Sequence, residues 1–388
     1  GFIPVEVGLL SNLNYLDLHD NRFEGCIPLT IAGLYQLRWL DLCKNGLEGR
    51  LPAGIANLTS LLMMDVSENS FSGELPMSLG RLDNIDTFII SKNNIEGVIP
   101  EELSRWTRIK WLDLSYNQFR GKAPDWLGNL SSLTYLSVDE NDLVGTIPAT
   151  LGNLTELQYL GLSDNWLEGQ MPPSLGNLQK LIVLFLADNM LSGVIPEEFS
   201  NMTNLVGLFL YSNRITGRIP PELAKLKRLS FLALHENALH DEVPRMTLDV
   251  CSLQECPREM QLTLYGNHLS CRLPELIDES KRKYLKAAVA HGNKFSLAKD
   301  GQVPKWLPPE AGDEVHFLVQ GQWLKPWLTL LGGTALWLLS MLLVLRLDAW
   351  AFLRGEVFVQ PRDHPEAGAH LELAALIFCM ACVSLCVV

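Results

Sequence analysis

An asparagine recurs at a fixed spacing of 24 residues through the first part of this chain. The ten positions, here called the ladder asparagines, are Asn21, Asn45, Asn69, Asn93, Asn117, Asn141, Asn165, Asn189, Asn213 and Asn237. A glycine follows four residues after nine of them, with Asp241 after the tenth, and a proline follows seven residues after each. One such unit cannot bury its apolar face alone, whereas stacked units share a continuous core. The period therefore predicts a solenoid of stacked repeats.

Each repeat contains the pattern of a short strand. Leu40 and Leu42 precede Asn45 by five and three residues, and they alternate with polar or aromatic residues, as in a strand with one buried face. The amide of Asn45 can both donate and accept hydrogen bonds, so we expect it to pair with backbone groups where the chain turns inward. Ten strands side by side predict a parallel, curved sheet roughly 45–50 Å long.

The charge of the chain limits its classes of partner. Its 388 residues include 31 basic and 44 acidic side chains, for a net charge of −13. A protein that binds duplex nucleic acid needs a basic surface to neutralise phosphates, so we expect no nucleic-acid partner. With 47 % hydrophobic and 19 % charged residues, the composition also excludes a disordered or collagen-like protein.

The segment from Leu151 to Gly169, LGNLTELQYLGLSDNWLEG, resembles plant-type extracellular leucine-rich repeats. Such repeats occur in receptor-like kinases, receptor-like proteins and polygalacturonase-inhibiting proteins. The resemblance covers residues 1–248 and implies an α/β solenoid, a curved leucine-rich-repeat superhelix with 24-residue repeats and a parallel sheet on its concave side. Residues 1–4 match the second half of a repeat, so the first unit looks truncated upstream.

Nothing in the sequence indicates catalysis. The chain contains no glycine-rich loop, catalytic aspartate motif or other kinase signature. It also shows no nucleophile–base pair and no Cys/His spacing of a zinc site. We therefore expect no catalytic residue, no cofactor and no metal site in this stretch.

A cysteine cluster follows the regular repeats. The spacing from the last ladder asparagine to Asn267 is 30 residues, and the insertion carries Cys251 and Cys256, with Cys271 after it. Such a cluster at the end of an extracellular solenoid is typical of a disulfide-stapled cap. A Cys251–Cys256 bond is the first choice of three pairings, Cys271 is the alternative partner, and reduced buried thiols are the other interpretation.

The remaining segments change character toward the carboxyl end. Residues 249–292 are interpreted as a degenerate repeat with a cap helix over 274–290, which has proline and glutamate at its start and lysines toward its end. Residues 293–325 form a predicted irregular juxtamembrane stalk, with three prolines.

Two apolar runs predict contact with a lipid bilayer. Residues 326–345 carry no charge, and 20 helical residues span about 30 Å, the thickness of a bilayer core. The run at 371–388 predicts a second transmembrane helix that is cut off within itself, with an interfacial tail as the alternative. The loop at 346–370 between them carries Arg346, Arg354 and Arg362, which favours the cytoplasmic side.

Side chains six, four and two residues before each ladder asparagine are expected to face the concave surface. The first of these positions carries six aromatic residues, more than a solvated strand face requires. The predicted ligand-binding residues are Tyr15, Asp17, Trp39, Asp41, Asp65, Trp111, Asp113, Tyr135, Asp139, Tyr159, Phe185, Phe209, Tyr211 and Phe231. The family favours Leu-Asp-Leu-Ser in its strands, so part of the aspartate column reflects the repeat itself.

The predicted face divides into two halves. Repeats one to six combine aspartate with tyrosine or tryptophan, which suits a basic or hydroxyl-rich partner. Repeats eight to ten carry phenylalanine and tyrosine with fewer charges, which suits an apolar side chain of a peptide or another receptor.

Four Asn-x-Ser/Thr sequons share one register. Asn57, Asn129, Asn153 and Asn201 each lie twelve residues after a ladder asparagine. We therefore expect them along one line on the convex side. They are either glycosylation sites of a secreted protein or a feature of the repeat consensus without effect.

Together these features favour a receptor-like recognition protein of the plasma membrane with extracellular repeats. Its expected partners are a peptide, glycan or protein ligand, a possible co-receptor and the lipid bilayer. The alternative is an accessory ectodomain on a polytopic membrane protein of the transporter or cyclase type.

Overall fold

The computed structural model describes residues 1–241, Pro244, 260–264, 266–269, 285–288, 318–319 and 322–323. The chain divides into a unit of residues 1–325 and a unit of residues 326–388, and every described residue belongs to the first. In the described residues, no helix has the length and apolar character needed to cross a membrane. The predicted cysteine cap at Cys251, Cys256 and Cys271, both predicted spans (326–345 and 371–388) and the loop 346–370 lie outside the described residues.

Two parallel sheets run through the repeats in the described part of the chain. Strands of the first sheet follow one another in chain order: β1 Tyr15–Asp17, β3 Trp39–Asp41, β5 Met63–Asp65, β7 Thr87–Ile89, β9 Trp111–Asp113, β11 Tyr135–Ser137, β13 Tyr159–Gly161, β15 Val183–Phe185, β17 Gly207–Phe209, β19 Phe231–Ala233, β21 Met260–Thr263 and β23 Leu285–Ala288. The register is fixed by the repeat, since Tyr15 pairs with Trp39 and Asp17 with Asp41. Equivalent positions of neighbouring repeats therefore lie side by side.

The second sheet was not predicted from the sequence. Its strands are β2 Glu24–Gly25, β4 Gly46–Gly49, β6 Ser70–Glu74, β8 Asn94–Gly97, β10 Gln118–Lys122, β12 Asp142–Thr146, β14 Trp166–Gln170, β16 Met190–Gly193, β18 Arg214–Gly217, β20 Ala238–Asp241 and β22 His268–Leu269. Nine of these strands contain or end at the repeated glycine, which has φ between 72° and 88° from Gly25 to Gly217. A side chain disfavours this conformation, so glycine is needed there. Asp241 replaces it in β20 with φ of 67°, a conformation that aspartate tolerates better than most residues.

A short 3₁₀ helix closes each described repeat. The helices are Val5–Leu9, Leu29–Gly33, Ala53–Asn57, Met77–Arg81, Glu101–Arg105, Asp125–Asn129, Ala149–Asn153, Pro173–Asn177, Glu197–Asn201 and Pro221–Lys225. The repeated proline immediately precedes each of them in an extended conformation, such as Pro52 with φ −68° and ψ 131°. Proline suits this position because a helix start leaves backbone N–H groups without partners and proline has none.

The ladder asparagines pair with backbone groups, as the sequence predicted, and from Asn45 onward they also bond to the preceding repeat. The Oδ1 atom of Asn141 accepts a hydrogen bond from the backbone N–H of Phe119 at 2.9 Å. Its Nδ2 group donates to the backbone carbonyls of Leu114, Val138 and Asp139 at 3.0–3.1 Å. Asn267 takes the same role in the next unit, where Leu239 N donates to its Oδ1 atom at 3.0 Å. Each asparagine thus satisfies buried backbone groups that would otherwise cost about 1–3 kcal/mol apiece.

The apolar core lies between the two sheets and the 3₁₀ helices. Leu40 and Leu42 are fully buried, and so are Ile55, Leu58 and Leu61 from the following helical segment. Burying each such side chain stabilises the fold by about 1.5–3 kcal/mol. The core forms one continuous cluster from Ile3 to Leu269, which is the feature that requires repeats to stack.

Two expectations near the carboxyl end are wrong for the residues that the structure describes. Leu285–Ala288 were predicted within a cap helix, yet they form β23, which pairs in parallel with β21. The open edge of the first sheet offers unpaired backbone groups, and satisfying them outweighs a local helix preference. In the stalk that was predicted to be irregular, Leu318–Val319 (β24) pair antiparallel with Gln322–Trp323 (β25). Only two residues separate these strands, which is the spacing of a tight hairpin.

Candidate functional site

The candidate binding face is the outward side of the first sheet. Because strands β1 to β19 are in register, side chains six residues before successive ladder asparagines form one column across the sheet. The same holds for the positions four and two residues before them. Adjacent members of a column lie about 4.8 Å apart, so large flat side chains are close enough to stack.

Six neighbouring aromatic rings form a row along this face, here called the aromatic ladder. Its members in order are Trp111, Tyr135, Tyr159, Phe185, Phe209 and Phe231, with successive ring centroids 3.9, 4.4, 5.6, 4.4 and 6.4 Å apart. The ladder moves from the first column to the second at Phe185, because Val183 occupies the first column there. Gly207 leaves room for the ring of Phe209, which a Cβ at that position would contact. The rings are contiguous across the predicted boundary between the two halves of the face.

Stacking changes the exposure that the sequence predicted. Tyr135 is 5 % and Tyr159 is 8 % exposed, although both were expected to present open rings to solvent. Tyr135 lies nearly parallel between Trp111 and Tyr159, with interplanar angles of 3° and 9°, so both of its faces are covered. Tyr159 stacks on Tyr135 on one side and meets the ring of Phe185 at 50° on the other. Trp111, Phe185 and the remaining ladder residues are half-buried. The ladder therefore offers ring edges rather than ring faces.

A second aromatic pair stands apart near the amino-terminal end. Tyr15 and Trp39 stack with centroids 5.5 Å apart and are 53 % and 37 % exposed. Met63 and Thr87 occupy the same column between this pair and Trp111. Tyr15 and Trp39 are thus the predicted residues whose rings are the most exposed.

The aspartates of the second column bond within their own repeats. The backbone N–H of Cys43 donates to Asp41, and both the N–H and the hydroxyl of Ser67 donate to Asp65, at 2.8 and 2.6 Å. Ser115 repeats this pattern with Asp113. Burial raises the pKa of Asp65 to about 6 and raises that of Asp113 as well. These carboxylates therefore help to end their strands, and only part of each is available to a ligand.

Asp139 occupies a recess that a glycine creates. Ser137 Oγ donates to its Oδ2 at 2.7 Å and the backbone N–H of Ser163 donates to its Oδ1 at 2.6 Å. Its carboxylate lies over Gly161, where any Cβ would overlap it. Burial raises the pKa of Asp139 to about 7. Asp139 is therefore coupled to the repeat that follows it.

Two groups of donor atoms on the first strands could hold a cation. Asp17, His19 and Asp41 bring their donor atoms within 4.8 Å of one another, and so do Asp41, Cys43 and Asp65. Sequence reasoning expected no metal site, because these residues come from different repeats and show no local ligand spacing. The 24-residue register was the signal that could have grouped them. In the structure His19 Nδ1 and Asp17 Oδ1 already share a hydrogen bond of 2.5 Å, which raises the pKa of His19.

Tyr211, another predicted binding residue, lies in the third column, two residues before its ladder asparagine. Tyr211 stacks on His235 with centroids 4.5 Å apart. His235 Nδ1 lies 2.8 Å from the hydroxyl of Thr263 in β21, and burial lowers its pKa to about 4. A neutral imidazole thus extends the aromatic surface next to Phe209 and Phe231.

The four sequon asparagines occupy equivalent positions away from this face. Asn57, Asn129, Asn153 and Asn201 are each the last residue of a 3₁₀ helix, and each is exposed. Their accessibility is what a modifying enzyme requires.

Residues 88–311 match the family model of a leucine-rich repeat region, and residues 10–73 match a second leucine-rich repeat model. The chain belongs to the leucine-rich-repeat family. A comparison with curated proteins gives no match.

Solved structures similar to this leucine-rich-repeat protein include plant receptors. A plant peptide hormone receptor, RGFR1 in complex with RGF2, is 38 % identical over 76 % of this chain and 46 % of its own, with a TM-score of 0.71. The Arabidopsis receptor kinase HAESA, in complex with the peptide hormone IDA and the co-receptor SERK1, is 31 % identical over 76 % of this chain and 48 % of its own, with a TM-score of 0.69.

A third similar structure is the ectodomain of the membrane receptor kinase GASSHO1/SCHENGEN3 from Arabidopsis thaliana, in complex with CASPARIAN STRIP INTEGRITY FACTOR 2. It is 33 % identical over 76 % of this chain and 38 % of its own, with a TM-score of 0.65. The chain thus spans less than half the length of these three receptors. The predicted recognition as a plant-type extracellular leucine-rich-repeat protein and the predicted curved solenoid with parallel strands are confirmed.

Proposed function

We propose that this protein is the recognition part of a receptor-like plasma-membrane protein that binds a peptide on its concave face. The observation that carries the proposal is the aromatic ladder, a contiguous row of buried and half-buried rings on the outward side of the first sheet. It stands on a fold whose structural relatives include a peptide hormone receptor and a receptor kinase in complex with a peptide hormone. Aromatic side chains are the residues that most often anchor a bound partner.

The stacking favours a peptide over a glycan along the ladder. A sugar ring stacks on the face of an aromatic ring, yet both faces of Tyr135 are covered by the nearly parallel rings of Trp111 and Tyr159. Ring edges and the shallow steps between them instead accept aliphatic side chains, which need only close contact and loss of water. A glycan contact is better suited to Tyr15 and Trp39, whose rings are more exposed.

The wider setting of the protein follows the same proposal. The uncharged run 326–345 anchors the protein in the membrane with its repeats outside the cell, and a co-receptor joins the bound complex as a second partner. The exposed sequons carry glycans on the side opposite the binding face, which leaves that face open. Signalling then results from the association of this protein with its co-receptor when the ligand is bound.

A capture experiment tests the proposed function. The full chain, produced in a plant secretory host, is immobilised and incubated with a pool of extracellular plant peptides. Retained peptides are identified by mass spectrometry and then synthesised and titrated by microscale thermophoresis. We expect at least one peptide with a Kd at or below about 1 μM. A buried aromatic anchor typically contributes about 2 kcal/mol or more to such binding.

A matched pair of variants locates the binding. Phe209→Arg places a charge in the middle of the ladder and should remove retention. Val194→Arg is the control, because Val194 is 58 % exposed and follows β16 of the second sheet. The proposal fails if no peptide is retained, or if both variants retain the same peptide as well as the unmodified protein does.

A further inference from the structure

A column of side chains borders the candidate face one position before each ladder asparagine, and we call it the edge column. Its members are Asp20, Lys44, Glu68, Lys92, Tyr116, Glu140, Asp164, Asp188, Ser212 and Glu236. All ten have positive φ between 49° and 57°. From Asp20 to Ser212, each backbone N–H donates to a carbonyl just after the end of the corresponding strand in the next repeat, as from Asp164 N to Ala187 O at 3.1 Å. The edge column therefore runs in register with the aromatic ladder.

In the first four repeats, the charges of the edge column neutralise one another. Lys44 Nζ lies 3.1 Å from Asp20 Oδ1, and Lys92 Nζ lies 3.1 Å from Glu68 Oε1. Acidic and basic side chains alternate there, so each carboxylate has a cation from the next repeat. This part of the edge has no excess of negative charge.

The edge column changes character from repeat six to repeat ten. Glu140, Asp164, Asp188 and Glu236 follow one another with only a serine between the last two. None of the ion pairs in the described part of the chain involves these four carboxylates. Burial and neighbouring carboxylates raise the pKa values of Glu140, Asp164 and Asp188. Burial is the largest cause of these shifts, and the neighbouring carboxylates add to it because the acidic side chains lie close together.

No cation on the face itself balances this charge. In repeats six to ten, the positions six, four and two residues before each ladder asparagine contain neither lysine nor arginine. They contain the ladder residues from Tyr135 to Phe231, and they add the further carboxylate of Asp139. A row of carboxylates thus lies beside a row of aromatic edges, and both extend over the same five repeats.

We propose that the ligand of this face is a basic, extended peptide that sets apolar side chains on Phe185, Phe209 and Phe231 and lysine or arginine side chains against Asp164 and Asp188. The inference rests on the proposed function and specifies its ligand class. Charge complementarity of this kind steers association and selects among partners, while the aromatic contacts supply most of the affinity.

The size of the surface fits a short peptide. Five repeats at about 4.8 Å cover about 19 Å between the outer strands, and an extended chain rises about 3.3 Å per residue. About six residues of peptide therefore reach from repeat six to repeat ten. Alternate side chains of an extended chain point to opposite sides, so an alternating apolar and basic sequence can satisfy both rows.

Three synthetic peptides provide the probes, each an octapeptide labelled with fluorescein and blocked at both ends. The first alternates leucine with lysine, the second replaces lysine by glutamate, and the third replaces leucine by serine. Binding to the full chain is measured by fluorescence anisotropy at pH 8, where carboxylates with raised pKa values are largely ionised, and at two salt concentrations.

Two double variants with the same change in net charge separate local contact from general attraction. Asp164→Asn with Asp188→Asn removes two charges from the edge column, and asparagine tolerates the positive φ at both positions. Asp125→Asn with Asp142→Asn removes two charges from exposed residues outside the face. Circular dichroism confirms that both double variants are folded.

The inference expects the leucine–lysine peptide to bind, the glutamate peptide to show no binding, and the serine peptide to bind more weakly. The edge-column double variant should weaken the leucine–lysine peptide about tenfold, whereas the control double variant should change it less than about twofold. Absence of binding by the leucine–lysine peptide, or an equal loss in both double variants, overturns the inference. If the capture experiment instead yields neutral or acidic peptides that Phe209→Arg removes, the proposed function stands and the basic ligand is wrong.

Discussion

Removal of one ring from the middle of the aromatic ladder tests whether the ladder is part of the folded core. Tyr135 is 5 % exposed and stacks on Trp111 and Tyr159 at 3.9 and 4.4 Å. Burial of a large side chain contributes about 1.5–3 kcal/mol, and each aromatic pair adds about 0.5–1.5 kcal/mol. Because water can partly refill the outward side, we expect Tyr135→Ala to lower the free energy of unfolding by about 3 kcal/mol.

Two controls make this number interpretable. Tyr135→Phe keeps both stacked contacts and removes only the hydroxyl, so its cost should be about 1 kcal/mol. Trp39→Ala removes a ring that is 37 % exposed and has one stacking contact at 5.5 Å, so its cost should also be about 1 kcal/mol or less. Tyr135→Ala should therefore stand apart from both.

Urea unfolding of the full chain, followed by circular dichroism and tryptophan fluorescence, provides the measurement. The two signals must give coincident transitions, because long repeat arrays can lose cooperativity. A shift in the midpoint at constant slope then reports the change in stability. If Tyr135→Ala and Trp39→Ala cost the same within about 0.5 kcal/mol, the ladder is a surface feature and the reasoning from stacking is wrong.

Other perturbations test the frame, the buried carboxylates and the convex surface. Asn141→Ala leaves the buried N–H of Phe119 without its acceptor, so it should lower the free energy of unfolding in urea by at least about 3 kcal/mol. Asn177→Ala, at an exposed helix end, should lower it by less than about 0.5 kcal/mol. Burial raises the pKa of Asp139 to about 7 and that of Asp65 to about 6, so the folded state binds protons more tightly than the unfolded chain does. The melting temperature should therefore fall as pH rises from 4 to 7. Asp139→Asn should make the melting temperature less dependent on pH, and an unchanged dependence would contradict the assignment. Deglycosylation should lower the apparent mass by up to four steps, and Asn→Gln changes at 57, 129, 153 and 201 should remove these steps. An unaltered mass in a secretory host would show that the sequons belong to the repeat consensus and are not modified.

The repeat frame could be predicted from the sequence because its determinants are local and recur. Asn45 lies at a fixed distance from Leu40 and Leu42, and in the structure Asn45 pairs with backbone groups while both leucines are buried. The exposure of Tyr135 could not be predicted, because it depends on rings that are 24 residues away in either direction. The sequence showed which side of the strand it occupies, whereas neighbouring repeats determine how much of it solvent can reach.

The second sheet and strand β23 were missed for a related reason. The strands of that sheet are only two to five residues long, as in Glu24–Gly25 and Ser70–Glu74, and pairing with the equivalent strands of neighbouring repeats defines them. Leu285–Ala288 form a strand because β21 offers them an open edge. The donor groups around Asp41 likewise join residues from three repeats. In each case the decisive contact is between repeats rather than within one.

The constant offset of 24 residues between the paired strands β1 to β19 means that a residue's number specifies its position on the binding face. The remainder after division by 24 specifies the column, and the quotient specifies the row, as the pairing of Tyr135 with both Trp111 and Tyr159 shows. Insertion or loss of one whole unit would move every later row by a single step and keep all columns intact. Duplication and deletion of complete units could thus lengthen, shorten or reorder a recognition surface over evolutionary time without new backbone geometry. A change of one residue between a strand and its asparagine would instead misalign that column, whereas the six extra residues before Asn267 leave its hydrogen bond from Leu239 intact.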